Sequence, residues 1–139
     1  MKIVIDTNVV ISGIFFNGNP RKVIESVCGA EIEAYASPEI IEEYKEIVDR
    51  IIGRGEGSFN SDGFIKFIAD LTLIEPHTSV SVCRDPDDDI FINCAVDAKA
   101  LYIVSGDSDL LDIKEYEGIE MITAADFVER YLLETIEKK

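Results

Sequence analysis

Acidic residues stand directly beside apolar segments at four places in this chain: Asp6, Glu43, the run Asp85 to Asp89 around Pro86, and the pair Asp107 and Asp109. Carboxylates are the only metal-ligating side chains present in number, because there is one histidine, His77, and the three cysteines form no CxxC pair. Two carboxylates about 4 Å apart repel by roughly 4 kcal/mol at an effective dielectric of 20. Four or five of them at one rim would destabilise a fold unless cations met them. An oxygen-only donor set points to Mg²⁺ or Mn²⁺. Such centres activate water and stabilise charge on a phosphate under in-line attack.

Each acid also has a plainer reading. Asp6 ends the run Lys2-Ile3-Val4-Ile5 and is equally placed to cap a helix starting at Thr7. Glu43 lies in a segment whose apolar stripe, at about 100° per residue, centres between Ile40 and Ile41. Glu39, Glu42 and Glu46 fall on the opposite side and Glu43 on the flank, where it can reach over a sheet edge or remain solvated. Asp85 before Pro86 suits an N-cap, and acids in a first turn favour the helix dipole. Asp88 shares the apolar face of Phe91 and Ala95, whereas Asp89 joins Asn93 and Asp97 on a polar stripe, so Asp88 is the site candidate of that run. Asp107-Ser108-Asp109 is turn chemistry or a ligand pair after an apolar strand.

The elements that must position these acids alternate. Residues 2–6, 33–36, 73–74, 101–105 and 120–122 read as strands, the fourth a continuous apolar run suited to burial on both faces. Helices are expected from Thr7, from Pro20 to Cys28, from Pro38 after a Ser37 cap, through Phe64 to Leu71, over 87–99, and after Thr123, which makes a capping box with Asp126. The last helix carries Phe127, Val128, Tyr131, Leu132 and Ile136 on one face. Gly53 to Ser58 reads as a flexible loop. The pattern predicts one α/β domain over 1–139, with a mainly parallel five-stranded sheet and helices on both faces. Asp6 and the Asp107/Asp109 pair fall at strand carboxyl ends, where such folds bind ligands.

Composition narrows the partners. With 13 Lys and Arg against 28 Asp and Glu, a formal charge of −15, the chain offers no broad phosphate-binding surface. A site rich in acids and metal needs little positive charge of its own to hold a phosphate. No apolar run approaches the ~20 residues of a membrane span. The start MKIVID lacks the layout of a signal peptide, and the cysteines read as reduced, mostly buried thiols, so a cytoplasmic location is expected.

In order, four motifs resemble those of the PIN-domain nucleases, and most closely the toxin components of prokaryotic toxin–antitoxin pairs. They are Ile5-Asp6-Thr7-Asn8-Val9; Ser37-Pro38-Glu39-Ile40-Ile41-Glu42-Glu43-Tyr44; Asp85-Pro86-Asp87-Asp88-Asp89 with Phe91 and Ala95; and Val104-Ser105-Gly106-Asp107-Ser108-Asp109-Leu110-Leu111. The resemblance implies a three-layer α/β/α sandwich and Mg²⁺- or Mn²⁺-dependent cleavage of single-stranded RNA. It places Asp6, Glu43, Asp88, Asp107 and Asp109 as catalytic and metal-holding acids, with Asn8 and Ser105 supporting them by hydrogen bonds. It also implies a small antitoxin partner and a homodimer. Asp89 departs from the pattern, which has Asn there.

Two other readings compete. A non-catalytic module on the same fold would use its acids to bind a basic protein or RNA partner. A phosphoacceptor domain would need an acid pair after the first strand and a Lys after the fifth, where this chain has Thr7 and Thr123. A dinucleotide site fails, because Gly53-Arg54-Gly55-Glu56-Gly57 follows a helix and not a strand.

Overall fold

Ile3, Val4 and Ile5 have no room for solvent on either side, and they make Lys2–Ile5 the centre of the sheet, β1. The structure, a computed structural model, describes residues 1–54 and 61–132. Six strands lie in the order β3-β2-β1-β4-β6-β5: β2 is Glu33–Ala36, β3 Thr72–Leu73, β4 Tyr102–Val104, β5 Glu115–Tyr116 and β6 Ile119–Ile122. All neighbours are parallel except β5 and β6. The sheet therefore has one strand more than the five expected. Glu117 and Gly118, both at positive φ (50° and 83°), form the two-residue turn that folds β5 back on β6.

The helices are α1 (Thr7–Phe15), α2 (Asn19–Cys28), α3 (Pro38–Gly53), α4 (Ser61–Asp70), α5 (Asp89–Ala98), α6 (Ser108–Leu111) and α7 (Ala124–Phe127). They complete a three-layer α/β/α arrangement, with α5 lying against β1, β2 and β4 and with α2 contacting α1, α4 and α7. The predicted caps are present. Ser37 accepts from the Ile40 amide at the start of α3, and Thr123 accepts from the Asp126 amide at the start of α7. The last helix does not run on regularly, because Val128–Leu132 widens into a π-helical turn. Ile136 and residues 55–60, which hold most of the expected Gly-rich loop, lie outside the described residues. Among those described, no helix is long and apolar enough to cross a membrane.

Two close contacts fix the helices nearest the sheet's carboxyl edge. Gly13 lets α1 meet α2, since a Cβ there would come within 2.5 Å of Ile24 Cγ1 and 2.8 Å of the Pro20 carbonyl oxygen. The fully buried Tyr44 donates its hydroxyl hydrogen bond to the Ile5 carbonyl oxygen, tying α3 to the end of β1.

Candidate active site

Parallel pairing sets the site. Ile5 is in register with Val104, so Asp6 and Ser105, the next residues of β1 and β4, leave the sheet side by side. Their backbones stay in the ladder, with Asp6 N–H donating to Val104 O at 2.9 Å and Ser105 N–H to Ile122 O at 2.9 Å. The buried Ser105 hydroxyl donates to Asp6 Oδ2 at 2.7 Å and accepts from the Asp107 amide at 3.0 Å. One hydroxyl thus orients two of the candidate acids. Asp107 in turn caps α6, accepting from the Asp109 amide at 3.0 Å.

Glu43 reaches the same rim from α3, on the flank where helix geometry puts it. Thr7 donates its hydroxyl hydrogen bond to Glu43 Oε2. Adjacent residues of α3 therefore grip adjacent parts of the first motif: Glu43 holds Thr7 and Tyr44 holds Ile5. Asn8 stands exposed on the first turn of α1 and makes no side-chain hydrogen bond among the described residues. The hydrogen bond expected of Asn8 is made instead by Thr7, whose place in the sequence marks only a helix start.

The acids converge. Carboxylate oxygens of Asp88, Asp107 and Asp109 lie within 4.8 Å of one another. Octahedral oxygen ligands at about 2.1 Å from one ion stand about 3 to 4.2 Å apart, so this set is close to the span a small divalent cation requires. Asp6 lies close enough to Asp88 and Asp107 for their charges to interact, and the charge of Glu43 also acts on Asp6. Burial raises the Asp6 carboxyl, the Ser105 hydrogen bond opposes that rise, and the charges of Asp107 and Glu43 add to it. Asp88 is pushed up to about 7, first by burial and then by the charges of Asp107, Asp6 and Asp85. The nearby thiol of Cys83 is pushed up to about 12, first by burial and then by its hydrogen bond to Asp89.

The Asp85 to Asp89 run divides three ways, and it is Asp89 rather than Asp88 that is buried. Asp85 caps the 3₁₀ turn Pro86–Asp88, accepting from the Asp87 amide at 3.0 Å. Asp88 faces Asp107 and Asp109. Asp89 turns away and is buried, its Oδ1 accepting from the amides of Val82 (3.1 Å) and Cys83 (3.0 Å). Asn93 accepts from the Val80 amide at 2.9 Å, and Asp97 from the amides of His77 (2.6 Å) and Thr78 (2.8 Å). The polar stripe of α5 is thus covered by the segment that leads to the site. Asp89→Ala is expected to destabilise the protein by about 2 kcal/mol by orphaning two amides, whereas Asp89→Asn, which keeps the accepting oxygen, should stay within about 0.5 kcal/mol of the parent. Urea unfolding of both variants checks this.

Arg84 was not singled out from the sequence. Its Nε lies 3.0 Å from Asp109 Oδ1 and its Nη2 2.5 Å from Asp112 Oδ2. A signal was present: Arg84 is the only Lys or Arg between Lys66 and Lys99, and it adjoins the third acidic run.

A mostly parallel sheet with acids gathered at its carboxyl rim defines an α/β protein with a candidate cation-binding edge. Comparison supplies the family, since a family model described as PIN domain matches residues 2–109. The chain belongs to the PIN-domain nuclease family. It is also similar to the uncharacterized protein MJ1680 of Methanocaldococcus jannaschii, 35% identical over 122 residues that cover 83% of this chain and 76% of the relative.

Proposed function

We propose that this protein is a Mg²⁺- or Mn²⁺-dependent endoribonuclease that cleaves single-stranded RNA and acts as the toxin of a toxin–antitoxin pair. The observation that carries the nuclease reading is the oxygen-only triad of Asp88, Asp107 and Asp109 beside Asp6. Asp88, Asp107 and Asp109 would hold the cation, with Asp6 and Glu43 completing the acid rim. A divalent cation bound there lowers the pKa of water and neutralises charge on a phosphate. Asp6 is the fixed corner, held by the central strand and by Ser105. Thr7 holds the Glu43 carboxylate in place. The triad residues are half-exposed, which leaves the rim open to a polymer.

The chain is taken as a single cytoplasmic domain. The toxin assignment rests on resemblance alone, and with it a small antitoxin covering the acids and a homodimeric state. Incubation with a mixed single-stranded RNA panel tests the enzyme reading. Cleavage should require Mg²⁺ or Mn²⁺, stop with chelator, and disappear in Asp6→Asn. Equal cutting by Asp6→Asn and wild type would sink the proposal. A non-catalytic module for a basic protein or RNA partner is separated from it by calorimetry, since such a module would show no cation site lost on Asp88→Asn. Ser105→Ala should weaken Mn²⁺ binding about tenfold in the same titration, because a group that orients ligands is removed while the ligands remain.

A further inference from the structure

We propose that Arg84 is a substrate-binding residue that contacts the RNA backbone phosphate beside the acid rim, and that its charge is held in place by Asp109 and Asp112 until RNA arrives. This inference rests on the ribonuclease reading.

The chain carries a net charge of −15, yet it must accept a polyanion next to at least five acids. Among the described residues, Arg84 makes the only ion pair with any of the five candidate acids; the other pairs, Arg50–Glu46, Lys66–Asp70 and Arg130–Glu120, lie elsewhere. Its guanidinium is anchored on two sides, by Asp109 of the triad and by Asp112, the residue just past the end of α6. The side chain is nevertheless 65% exposed, so donors remain open to solvent. A guanidinium has five N–H donors in a planar fork, and the Nε contact to Asp109 and the Nη2 contact to Asp112 leave the others for phosphate oxygens.

The backbone keeps this arrangement in phase. The Cys83 amide is bonded to Asp89, and Asp85 caps the turn after it, so the residue between them has little freedom to drift from the rim. Asp109 is shared between Arg84 and the triad. A divalent cation and the guanidinium therefore compete for one carboxylate, while Asp112 lies outside the triad and stays available to Arg84.

That sharing gives a test with opposite signs. Removing the guanidinium should tighten cation binding, because Asp109 loses a competing positive charge, and should weaken RNA binding, because a phosphate contact is lost. Titration calorimetry with Mn²⁺ alone is expected to give a Kd about threefold to tenfold lower for Arg84→Met than for wild type. Fluorescence anisotropy with a single-stranded RNA oligonucleotide, in an Asp6→Asn background with Mg²⁺ so that nothing is cut, is expected to give a Kd about tenfold higher when Arg84→Met is added. Arg84→Lys, which keeps the charge and loses the fork, should fall between in RNA affinity. RNA affinity unchanged by Arg84→Met, or cation and RNA affinities falling together as a packing defect would make them, overturns the inference. If the Asp6→Asn protein binds Mn²⁺ but no RNA at all, the ribonuclease reading itself fails; if it binds RNA and Arg84→Met changes nothing, only the role of Arg84 fails.

Discussion

Asp88→Asn is expected to lower RNA cleavage by about 10³-fold and at the same time to make the cation-free protein more stable. The two effects share a cause. Asp88 sits half-buried at the start of α5, and burial first, then the charges of Asp107, Asp6 and Asp85, raise its carboxyl to about 7 against an ordinary 3.8. Asn has the same shape and removes one negative charge from the cluster. The stabilisation is confined to a pH range. A raised carboxyl binds a proton in the folded state that it has already lost in the unfolded one. Its contribution is therefore fully present below about pH 4 and is lost as pH rises through about 7. The Asn variant carries no such loss, so its advantage over wild type should be largest at pH 8 and absent near pH 4. Solvent reaches Asp88, which tempers the effect, and a gain of about 2 to 4 °C in Tm at pH 8 is the expected size. Thermal unfolding in chelator, paired with the cleavage assay, measures both. A variant that lost activity and stability together would show that Asp88 supports the fold rather than serving the reaction.

Saturating Mg²⁺ or Mn²⁺ should raise the melting temperature of wild type strongly and that of Asp88→Asn little. A ligand bound only by the folded state contributes about 2.7 kcal/mol at a hundredfold excess over its Kd. For a domain of this size that is a Tm increase of roughly 8 to 12 °C. The gain should also depend on pH in the direction opposite to the cation-free stability. At pH 6 the cation must displace the proton held by Asp88, whereas at pH 8 the carboxylate is already free. The metal-induced shift is thus expected to be larger at pH 8. An equal shift in wild type and in Asp88→Asn would place the bound ion somewhere other than this rim.

How far the sequence revealed this arrangement can be seen residue by residue. β1 and its terminal acid were legible because burial on both faces leaves a continuous apolar run that stops where the sheet stops. Glu43 could be separated from three neighbouring glutamates by helical phase, which is set by 3.6 residues per turn and needs no tertiary information. Ser37, Asp85 and Thr123 could be read as caps because capping is a local hydrogen bond. The features that escaped depend on partners distant in the chain. Asp89 was placed on a polar stripe, and nothing in its periodicity says that a loop covers that stripe and buries it. β5 is two residues long, too short for any alternation to register. The Thr7–Glu43 and Tyr44–Ile5 bonds join α1 and β1 to α3, contacts that exist only once the sheet has brought those elements together. Arg84 escaped because its pairing with Asp109 and Asp112 spans 25 and 28 positions of sequence.

The stripe of Asp89, Asn93 and Asp97 has a consequence for exchange of amide hydrogens with solvent. The amides of His77, Thr78, Val80, Val82 and Cys83 are bonded to side chains of α5 and not to a neighbouring strand. Their protection in deuterated buffer is therefore a readout of one helix's side-chain chemistry. Substituting Asp97 with Ala should speed exchange at the His77 and Thr78 amides and leave Val82 and Cys83 slow. The segment leading to Arg84 would then loosen from its far end first, like a zip opened one tooth at a time.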